Sequence, residues 1–367
     1  MFKLFHPVNI KFGEGLIGDF ETLLEGYEGY SFVIVAGNSA KQNGILRVIE
    51  SQLDDRVLGT VVGIEENPTM ENVDTIIEMM NDTKADALIG IGGGSVMDAT
   101  KVATIGAAMG LSAREIMNEK SRTRVPLILI PTTSGSSSEV TNSAVISDYT
   151  IGKKLPTNGP EVFADFAIID PELTYTCPKN VTAISGIDIM CHAFDAIGNV
   201  KHNPYSDTLA TEALRLAFKH LKSVYDGENN REGRHALSLA TMLVGQAFSQ
   251  TGTSGSHAVS YYLTSEFGVP HGEACALTVD LWYKINSEED PRLEEIAKSL
   301  GFLSVDEMLE AFNELKKSIG LRTTFAALGI DKKHLATIAE DALLQANMKN
   351  NIVQLNEAEL VELLNRK

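Results

Sequence analysis

The sequence predicts an α/β fold, in which an N-terminal doubly wound parallel-sheet domain is followed by an all-α domain. In the first half, short β-rich runs alternate with helical stretches, which favours a parallel sheet. After about residue 178 the β-rich runs almost disappear, while apolar residues keep recurring at helical spacing. The 367 residues are also too many for one compact core. We therefore expect two domains, residues 1–178 and 179–367.

The predicted sheet of the first domain is assembled from short apolar runs. The start of the chain, MFKLFHPVNIKFGEG, alternates apolar and polar residues and predicts a strand, because it lacks the long apolar run of a signal peptide. Further strands are predicted at 30–37, 56–63, 86–92, 125–131 and 166–170. Helical spacing between them predicts helices over 39–53 and 69–84. In such sheets, ligands bind at the carboxyl ends of the strands.

The second domain is predicted to be nearly all helical. A loop punctuated by proline and cysteine, DPELTYTCPKNV, separates it from the sheet. Apolar periodicity then predicts helices over 182–200, 206–224, 232–250, 255–265, 272–286, 291–300, 304–319, 332–347 and 356–366.

Composition excludes several classes of function. A formal net charge of −18 repels nucleic acid and anionic lipid. No apolar run approaches the roughly 20 residues of a membrane span, and the start carries no targeting signal, so we expect a cytoplasmic protein. The three cysteines, Cys177, Cys191 and Cys275, have no CxxC spacing. We expect them to be reduced and mostly packed, without a disulfide framework or a cysteine zinc site.

A run of glycines follows the strand predicted at 86–92. GIGGGS ends that strand and opens a helix that begins near Val96. Glycines allow a ligand to approach the backbone closely, and a helix amino terminus offers free N–H groups, so the run suits a pyrophosphate. Its spacing matches neither GxGxxG nor a Walker loop. A tight strand-to-helix connection is the alternative interpretation.

A second loop strengthens the prediction of a dinucleotide site. PTTSGSSSEVT, residues 131–141, follows the next strand and is rich in hydroxyl groups. Those hydroxyls can donate hydrogen bonds to phosphate, ribose or a nicotinamide amide; the residues are Thr132, Thr133, Ser136, Ser137 and Ser138. A plain polar loop is the alternative, but two such loops at neighbouring strand ends fit a dinucleotide lying across the sheet edge.

One carboxylate and three imidazoles form a candidate metal site. Asp188 and His192 stand four residues apart in SGIDIMCHAFDAI, which places both on one face of a helix. His257 begins one later helix and His271 begins the next. An Asp–His–His–His set suits Fe²⁺ or Zn²⁺. For Asp188 and His192 taken alone, a surface ion pair or a satisfied core histidine is the alternative.

These segments together resemble the iron-dependent, or group III, alcohol dehydrogenase family over nearly the whole chain. GIGGGSVMDATK resembles the family's GGGSxxDxxK segment, and PTTSGSSSEVT resembles its PTTxGTGSE loop. GIDIMCHAFDA and GVPHGEACAL resemble its two metal segments, and the spacing of 14 between His257 and His271 matches as well. The resemblance implies an NAD(P)-binding α/β domain, a helical metal domain and a cleft between them.

The resemblance also assigns roles to individual residues. It makes Asp188, His192, His257 and His271 the metal ligands. It places a pyrophosphate at Gly92, Gly93, Gly94, Ser95 and Asp98, and the nicotinamide side at Thr132, Thr133 and Ser136. Lys154, at its spacing before FAIIDPEL, matches a lysine that reaches the cofactor ribose.

Departures from the family pattern concern proton delivery and the substrate. Many members carry a further histidine one turn after the histidine ligand that corresponds to His257. This chain has Tyr261 at that position. Tyr261, water and a ribose hydroxyl are therefore the candidates for the proton relay. GSSSE replaces the usual GTGSE. The stretch HAVSYYLTSEFGVPHGEACALT looks closer to a branch with phosphonoacetaldehyde reductases than to the 1,2- or 1,3-diol enzymes. Sulfoacetaldehyde reductases also occur in the family, and together these resemblances imply a short aldehyde with an anionic head group.

The residue at the end of the second strand gives partial information on the choice between NAD(H) and NADP(H). An acid there binds the ribose 2′-hydroxyl and excludes a 2′-phosphate. This chain has Gly37 at that place. NADP(H) is therefore allowed, while NAD(H) is not excluded because no arginine clearly grips a phosphate.

The expected chemistry is aldehyde reduction, with a divalent metal that polarises the carbonyl and a nicotinamide that supplies hydride. We expect a homodimer or higher homo-oligomer acting on a small molecule. An enzyme resembling glycerol-1-phosphate dehydrogenase or dehydroquinate synthase is an alternative, although those usually bind metal with one acid and two histidines. A non-catalytic nucleotide- or metal-binding protein is another, favoured by the absence of the usual relay histidine.

Overall fold

A computed structural model describes residues 2–64, 66–227 and 230–367. Within them two compact units are distinguished. One unit is His6–Cys177, and the other is Pro178–Lys367 together with the residues that precede His6. The domain limits 1–178 and 179–367 stay a prediction about independently folding parts.

The first unit is built on a parallel sheet. Its strands run in the order β1-β8-β5-β4-β2-β3, and all their pairings are parallel. The central strands β2, β4 and β5 are buried at every residue, as expected for a sheet covered on both faces. The strands of this sheet are β1 Asn9–Phe12, β2 Phe32–Ala36, β3 Val57–Val62, β4 Ala87–Gly92, β5 Leu127–Pro131 and β8 Phe166–Ile169. The predicted doubly wound α/β class is confirmed.

Helices connect these strands, as the alternation predicts. They are α1 Asn38–Gln42, α2 Ile45–Leu53, α3 Met70–Thr83, α4 Gly94–Met109 and α5 Ala113–Ile116. The single helix predicted over 39–53 is wrong at one point, because the chain breaks between α1 and α2 at Gly44. That glycine has a φ of 81°, a left-handed conformation that ends one helix and starts another.

An antiparallel hairpin, which the sequence patterns did not predict, stands apart from the main sheet. Its strands are β6 Ser143–Asp148 and β7 Lys153–Asn158. Two backbone contacts fix β6: the Val145 N–H donates to Asp98 of α4 at 2.9 Å, and the Ser147 N–H donates to the Pro68 carbonyl at 2.7 Å. The hairpin thereby carries Lys154 to the loop that precedes α3.

The second unit is mostly helical in its described residues, with a longer non-helical connection at 319–331. Its helices are α6 Lys179–Ile197, α7 Pro204–Asp226, α8 Arg231–Thr251, α9 Gly255–Phe267, α10 His271–Glu289, α11 Arg292–Ser299, α12 Val305–Ser318, α13 Leu335–Leu344 and α14 Glu357–Leu364. The predicted helices are found, although the first ends at Gly198 rather than at residue 200. Of the helices described, none combines the length and apolar composition that a membrane crossing needs.

Helix α6 lies at the centre of this bundle. Phe194 packs edge-to-face against Tyr283 of α10 at 4.9 Å and against Phe312 of α12 at 5.2 Å between ring centroids. Ile187 and Met190 are also fully buried in the same cluster. Because this apolar face anchors α6, the polar residues on its other face are held in fixed positions inside the unit.

Candidate metal centre and cofactor loops

Helix α6 presents Asp188, His192 and Asp195 at spacings of four and three residues, which puts them on one helix face. All three are buried, with exposed fractions of 5%, 5% and 2%. Nδ1 of His192 lies 3.8 Å from Oδ2 of Asp188. Polar groups at this depth need partners, so this face requires other side chains or an ion to complete it.

His257 reaches the α6 face from the first turn of α9. Its Nε2 lies 3.9 Å from Oδ1 of Asp188, and its ring stacks on His192 with centroids 4.6 Å apart. Gly255 permits this approach, because a Cβ there would lie 2.5 Å from the Trp282 ring. A side chain at residue 255 would therefore push the start of α9 away.

His271 is the first residue of α10, and its ring centroid lies 5.4 Å from that of His257. Gly268, with a φ of 63°, ends α9 just before it. Gly272 allows α10 to touch α6, since a Cβ at that position would lie 2.1 Å from the Ile184 carbonyl oxygen. The structure thus places ligand atoms of Asp188, His257 and His271 in one group, while His192 lies beside Asp188 and stacks on His257.

The donor atoms of this cluster suit a divalent cation. Oδ1 of Asp188 and Nε2 of His257 are both buried without a hydrogen-bond partner, and the 3.9 Å between them is too long for a hydrogen bond. Two ligands at 2.0–2.2 Å from a tetrahedral zinc ion lie about 3.3–3.6 Å apart, so binding would draw these two atoms together by only about 0.5 Å. Burial also raises the pKa of Asp188 to about 7, opposed by His257. A cation would satisfy both atoms.

Asp195 is a site residue that the sequence interpretation missed. Its Oδ2 accepts hydrogen bonds from Nδ1–H of His257 at 2.8 Å and from the Ser254 N–H at 2.7 Å. Its Oδ1 accepts one from the Ser256 hydroxyl at 2.8 Å. Burial alone would raise the pKa of Asp195, but His257 and these hydrogen bonds hold it below its usual value. A charged Asp195 keeps the His257 proton on Nδ1 and leaves Nε2 for a metal.

Cys275 is a second residue missing from the prediction. It lies one turn after His271 on α10, is fully buried, and has its Sγ 3.8 Å from Nε2 of His271. Ligand atoms of Asp188, His257, His271 and Cys275 all lie within 4.8 Å of one another. The four-residue spacing of His271 and Cys275 was a usable signal, but the cysteine was interpreted as packing.

Tyr261 lies one turn after His257 on α9 and is partly buried. Its hydroxyl is hydrogen bonded with Thr253, whose Oγ1 accepts a further hydrogen bond from the Asn347 amide at 3.1 Å. Burial raises the pKa of Tyr261 above its usual value. The phenol is therefore protonated near neutral pH, which is the form that a proton donor needs.

In the first unit, the loops after β2, β4 and β5 converge. The Gly37 N–H donates to the Ile91 carbonyl at 2.8 Å, and the Thr132 N–H donates to the Gly92 carbonyl at 2.9 Å. A Cβ at Gly37 would lie 3.4 Å from Val96 Cγ2. Three strand ends thus meet at one edge of the sheet, where dinucleotides bind in folds of this class.

The glycine run has more than one cause, which corrects the expectation that all three glycines make room for a pyrophosphate. A Cβ at Gly92 would lie 2.6 Å from Val96 Cγ2, and one at Gly94 would lie 2.8 Å from the Ser136 side chain. These two positions are closed by the protein's own packing. At Gly93 the nearest atom would be Thr133 Oγ1, at an acceptable 3.4 Å. Gly93 is the glycine left to be explained by a ligand.

Asp98 and Lys101 of α4 hold the hydroxyl-rich loop in place through hydrogen bonds. Asp98 was assigned to the pyrophosphate segment, but its Oδ1 accepts from the Ser138 hydroxyl at 2.6 Å and its Oδ2 from the Val145 N–H at 2.9 Å. Lys101 is fully buried and donates to Thr141 and to the Ser143 carbonyl. Both therefore tie α4 to the neighbouring loop and hairpin.

Lys154 stands near the start of α4, together with a residue that the sequence interpretation did not include. Its Nζ donates to Oδ1 of Asn67 at 2.8 Å, and the Asn67 N–H donates to the Ser95 hydroxyl at 3.3 Å. Asn67 has a φ of 59°, in the left-handed region that asparagine tolerates better than most residues. A cation, a hydroxyl and a helix amino terminus together suit a phosphate.

Fold and donor set define the chain as a metal-dependent oxidoreductase, with a dinucleotide-binding α/β unit and a helical unit. Two family profiles match almost its whole length: "Iron-containing alcohol dehydrogenase" matches residues 7–171, and "Fe-containing alcohol dehydrogenase family, C-terminal" matches residues 182–367. The chain belongs to the iron-containing alcohol dehydrogenase family. It is therefore an oxidoreductase of alcohols and aldehydes, with NAD(P) and a divalent metal as its cofactors.

Individual relatives agree with this assignment. The long-chain-alcohol dehydrogenase 1 of Geobacillus thermodenitrificans is 34% identical over 77% of this chain and 74% of its own length. The sulfoacetaldehyde reductase of Bilophila wadsworthia is 28% identical and covers 92% of both chains. A crystal structure of sulfoacetaldehyde reductase from Bifidobacterium kashiwanohense, in complex with NAD⁺, is 30% identical with a TM-score of 0.95 and covers 100% of this chain and 98% of its own.

Proposed function

We propose that this chain reduces a short aldehyde bearing an anionic head group, of the sulfonate or phosphonate kind, at the expense of NAD(P)H. The observation that carries the head group is the likeness to a sulfoacetaldehyde reductase structure, with a TM-score of 0.95 over the whole chain. A second sulfoacetaldehyde reductase, 28% identical over 92% of this chain, supports the same substrate class.

Asp188, His192, His257 and His271 are the proposed ligands of one divalent metal, Fe²⁺ or Zn²⁺. When bound, the metal supplies Lewis-acid polarisation of the aldehyde carbonyl. The chain's part is to hold the donors in place. Asp195 fixes the tautomer of His257 through a 2.8 Å hydrogen bond, and burial of the cluster keeps bulk water from competing with the substrate.

The proposed cofactor residues lie in the first unit. The segment Gly92, Gly93, Gly94 and Ser95, together with Lys154, would hold the phosphates and ribose. The loop residues Thr132, Thr133 and Ser136 would orient the nicotinamide ring, which supplies a hydride to the carbonyl carbon. Gly37 leaves the adenosine side without an acid, so both NADH and NADPH are proposed donors. Asp98 serves these groups indirectly, because it holds Ser138.

Aldehyde reduction consumes one proton for every hydride, and Tyr261 is the proposed donor. Its place one turn after His257 and its hydrogen bond with Thr253 support this role. Positioned acids contribute roughly 10²–10⁴-fold to such reactions, so Tyr261→Phe should lower kcat about 100-fold with little change in metal content. Unchanged kcat in that variant would exclude the tyrosine and favour water or a ribose hydroxyl.

The substrate proposal is tested by steady-state kinetics on the Fe²⁺- and Zn²⁺-loaded protein. Sulfoacetaldehyde and phosphonoacetaldehyde are compared with propanal and lactaldehyde, each with NADH and with NADPH. One charge-assisted contact to the head group is worth about 1.5–3 kcal/mol, so kcat/KM should be at least about tenfold higher for the anionic aldehydes. Equal or higher kcat/KM for the uncharged aldehydes would contradict the head-group assignment.

Compartment and assembly stay proposals of the same kind. The cytoplasm is the proposed location, because it holds the pools of NADH and NADPH that the reaction would consume. A homodimer or higher homo-oligomer is the proposed assembly. Sedimentation of the purified protein checks the second of these.

A further inference from the structure

The thiol of Cys275 lies among the proposed metal ligands. It is fully buried on α10, one turn beyond His271, and its Sγ is 3.8 Å from Nε2 of that histidine. Ligand atoms of Asp188, His257, His271 and Cys275 lie within 4.8 Å of one another. Ligands of one tetrahedral ion lie about 3.3–3.8 Å apart, so this set of four donors, which includes a sulfur, has to contract by about 1 Å to bind an ion.

The distances agree with binding to one ion. Metal–sulfur bonds of about 2.3 Å and metal–nitrogen bonds of about 2.0–2.1 Å place Sγ and Nε2 3.8 Å apart when the angle at the ion is about 120°. The neighbouring donors Oδ1 of Asp188 and Nε2 of His257 are buried without a hydrogen-bond partner. The thiol of Cys275 interacts with His257 and Ser260, but it carries a single proton and cannot satisfy both Nε2 of His257 and Oδ1 of Asp188, whereas a shared cation accounts for both atoms.

His192 occupies a different position relative to Asp188. It faces Oδ2 at 3.8 Å, while His257 faces Oδ1 at 3.9 Å. The cluster therefore offers five donors, more than a tetrahedral ion uses. Hard and borderline cations favour oxygen and nitrogen, and soft cations favour thiolate.

We propose that Cys275 is a metal ligand for soft cations, which take its sulfur together with Asp188, His257 and His271. The inference rests on the proposed function, since it uses the same metal site. Binding converts the thiol to a thiolate, and its proton passes to water. The site then selects Cd²⁺ over hard divalent cations such as Mn²⁺ more strongly than the proposed Asp–His–His–His set would.

The test uses Cd²⁺ alone on metal-free, full-length protein, followed by the ultraviolet absorption of the thiolate–cadmium bond. We expect the band to saturate at one Cd²⁺ per chain. In Cys275→Ser the band should disappear, and the ratio of Cd²⁺ to Mn²⁺ affinity should fall at least about tenfold. Cys191→Ser is the matched control, because Cys191 is equally buried yet is outside the set of ligand atoms found among the described residues. It should keep both the band and the ratio.

The outcomes separate this inference from the proposed function. The inference is overturned if the wild-type protein binds Cd²⁺ without a thiolate band, or if the band persists in Cys275→Ser. In either case, aldehyde reduction by the Fe²⁺-loaded enzyme would still support the proposed function. A chain that binds neither ion and reduces no aldehyde removes both. Cys275→Ala serves as a second variant, and retained helical circular dichroism in both variants shows that a lost band reflects the ligand and not the fold.

Discussion

Replacing Asp195 by asparagine is the most informative perturbation of the metal centre, because it changes charge without changing size. All three hydrogen bonds at Asp195 are accepted ones, from His257, Ser254 and Ser256. An asparagine has only one oxygen, so its amide nitrogen must face at least one of these donors. Because His257 and the Ser254 N–H both donate to Oδ2, the amide oxygen takes that position and the nitrogen faces the Ser256 hydroxyl, which can accept. His257 then keeps its proton on Nδ1 but loses the negative charge that makes Nε2 a stronger metal ligand.

The expected loss follows from this geometry. Removing a carboxylate that orients a ligating histidine typically weakens metal binding 10- to 100-fold, which is about 1.4–2.7 kcal/mol. The 2.8 Å distance and the 2% exposure of Asp195 place it toward the upper end of that range, because a charge-assisted hydrogen bond is stronger when water is excluded. We therefore expect a loss of about 30- to 100-fold in Asp195→Asn.

The assay is competition for Zn²⁺ between the metal-free protein and a chelator of known affinity. Ser256→Ala is the matched control, since it removes a hydrogen bond to Oδ1 and a 3.3 Å contact with Nδ1 of His257, and leaves the 2.8 Å hydrogen bond between Asp195 and His257 intact. Its Kd should change by less than about fivefold. If Asp195→Asn binds Zn²⁺ within about twofold of wild type, the negative charge of Asp195 does not strengthen His257 as a metal ligand, and this argument fails.

Three further predictions concern the first unit. Gly93→Ala should fold normally but raise KM for the nicotinamide cofactor, and a normal KM in cofactor kinetics would argue against a ligand there. Gly94→Ala, whose Cβ would lie 2.8 Å from the Ser136 side chain, should instead lower the free energy of unfolding by about 1–3 kcal/mol in denaturation experiments. Lys84→Gly should stabilise the protein by about 1 kcal/mol in urea denaturation, because Lys84 is exposed and ends α3 with a left-handed φ of 57°; a loss of stability would refute this. Burial raises the pKa of Glu139 from 4.5 to about 7, so the folded state holds this proton more tightly than the unfolded state does. The free energy of unfolding should therefore fall by about 3 kcal/mol as pH rises from about 4.5 to 7. Glu139→Gln should remove this decline, and an unchanged pH profile in that variant would contradict the argument.

The fold was largely predictable because its signals are local. Strands β2 to β5 and β8 are short apolar runs between helices of clear 3.6-residue spacing, and each lies within a few residues of its predicted position. The β6–β7 hairpin was not predicted, because its strands lie apart from the main sheet and β7 has few buried residues. The helix break at Gly44 was not predicted either, because the residues on both sides have helical periodicity and the left-handed φ is a property of the fold.

The candidate site was predictable where residue type and spacing carry chemistry. Asp188, His192, His257 and His271 were predicted in this way and stay proposed ligands; in the structure Asp188 lies beside His192 and His257, and His257 lies beside His271. Asp195 and Cys275 were missed because a carboxylate or a thiol on a buried helix has many structural uses, and only the contacts with His257 and His271 distinguish them.

The glycine run marks the limit of such inference. Three adjacent glycines suggested one ligand, but the sequence could not show that Val96 and Ser136 close two of the positions. Packing partners that are distant along the chain decide which glycine faces a ligand and which one faces the protein.

The central claim is that one divalent cation is held by Asp188, His192, His257 and His271, and the metal content of the chain tests it most directly. Wild-type protein and its His257→Ala variant are reconstituted with Fe²⁺ without oxygen, freed of loose metal, and analysed by elemental mass spectrometry. The account predicts one bound ion per wild-type chain and almost none in the variant. A variant that keeps a full ion per chain would contradict it.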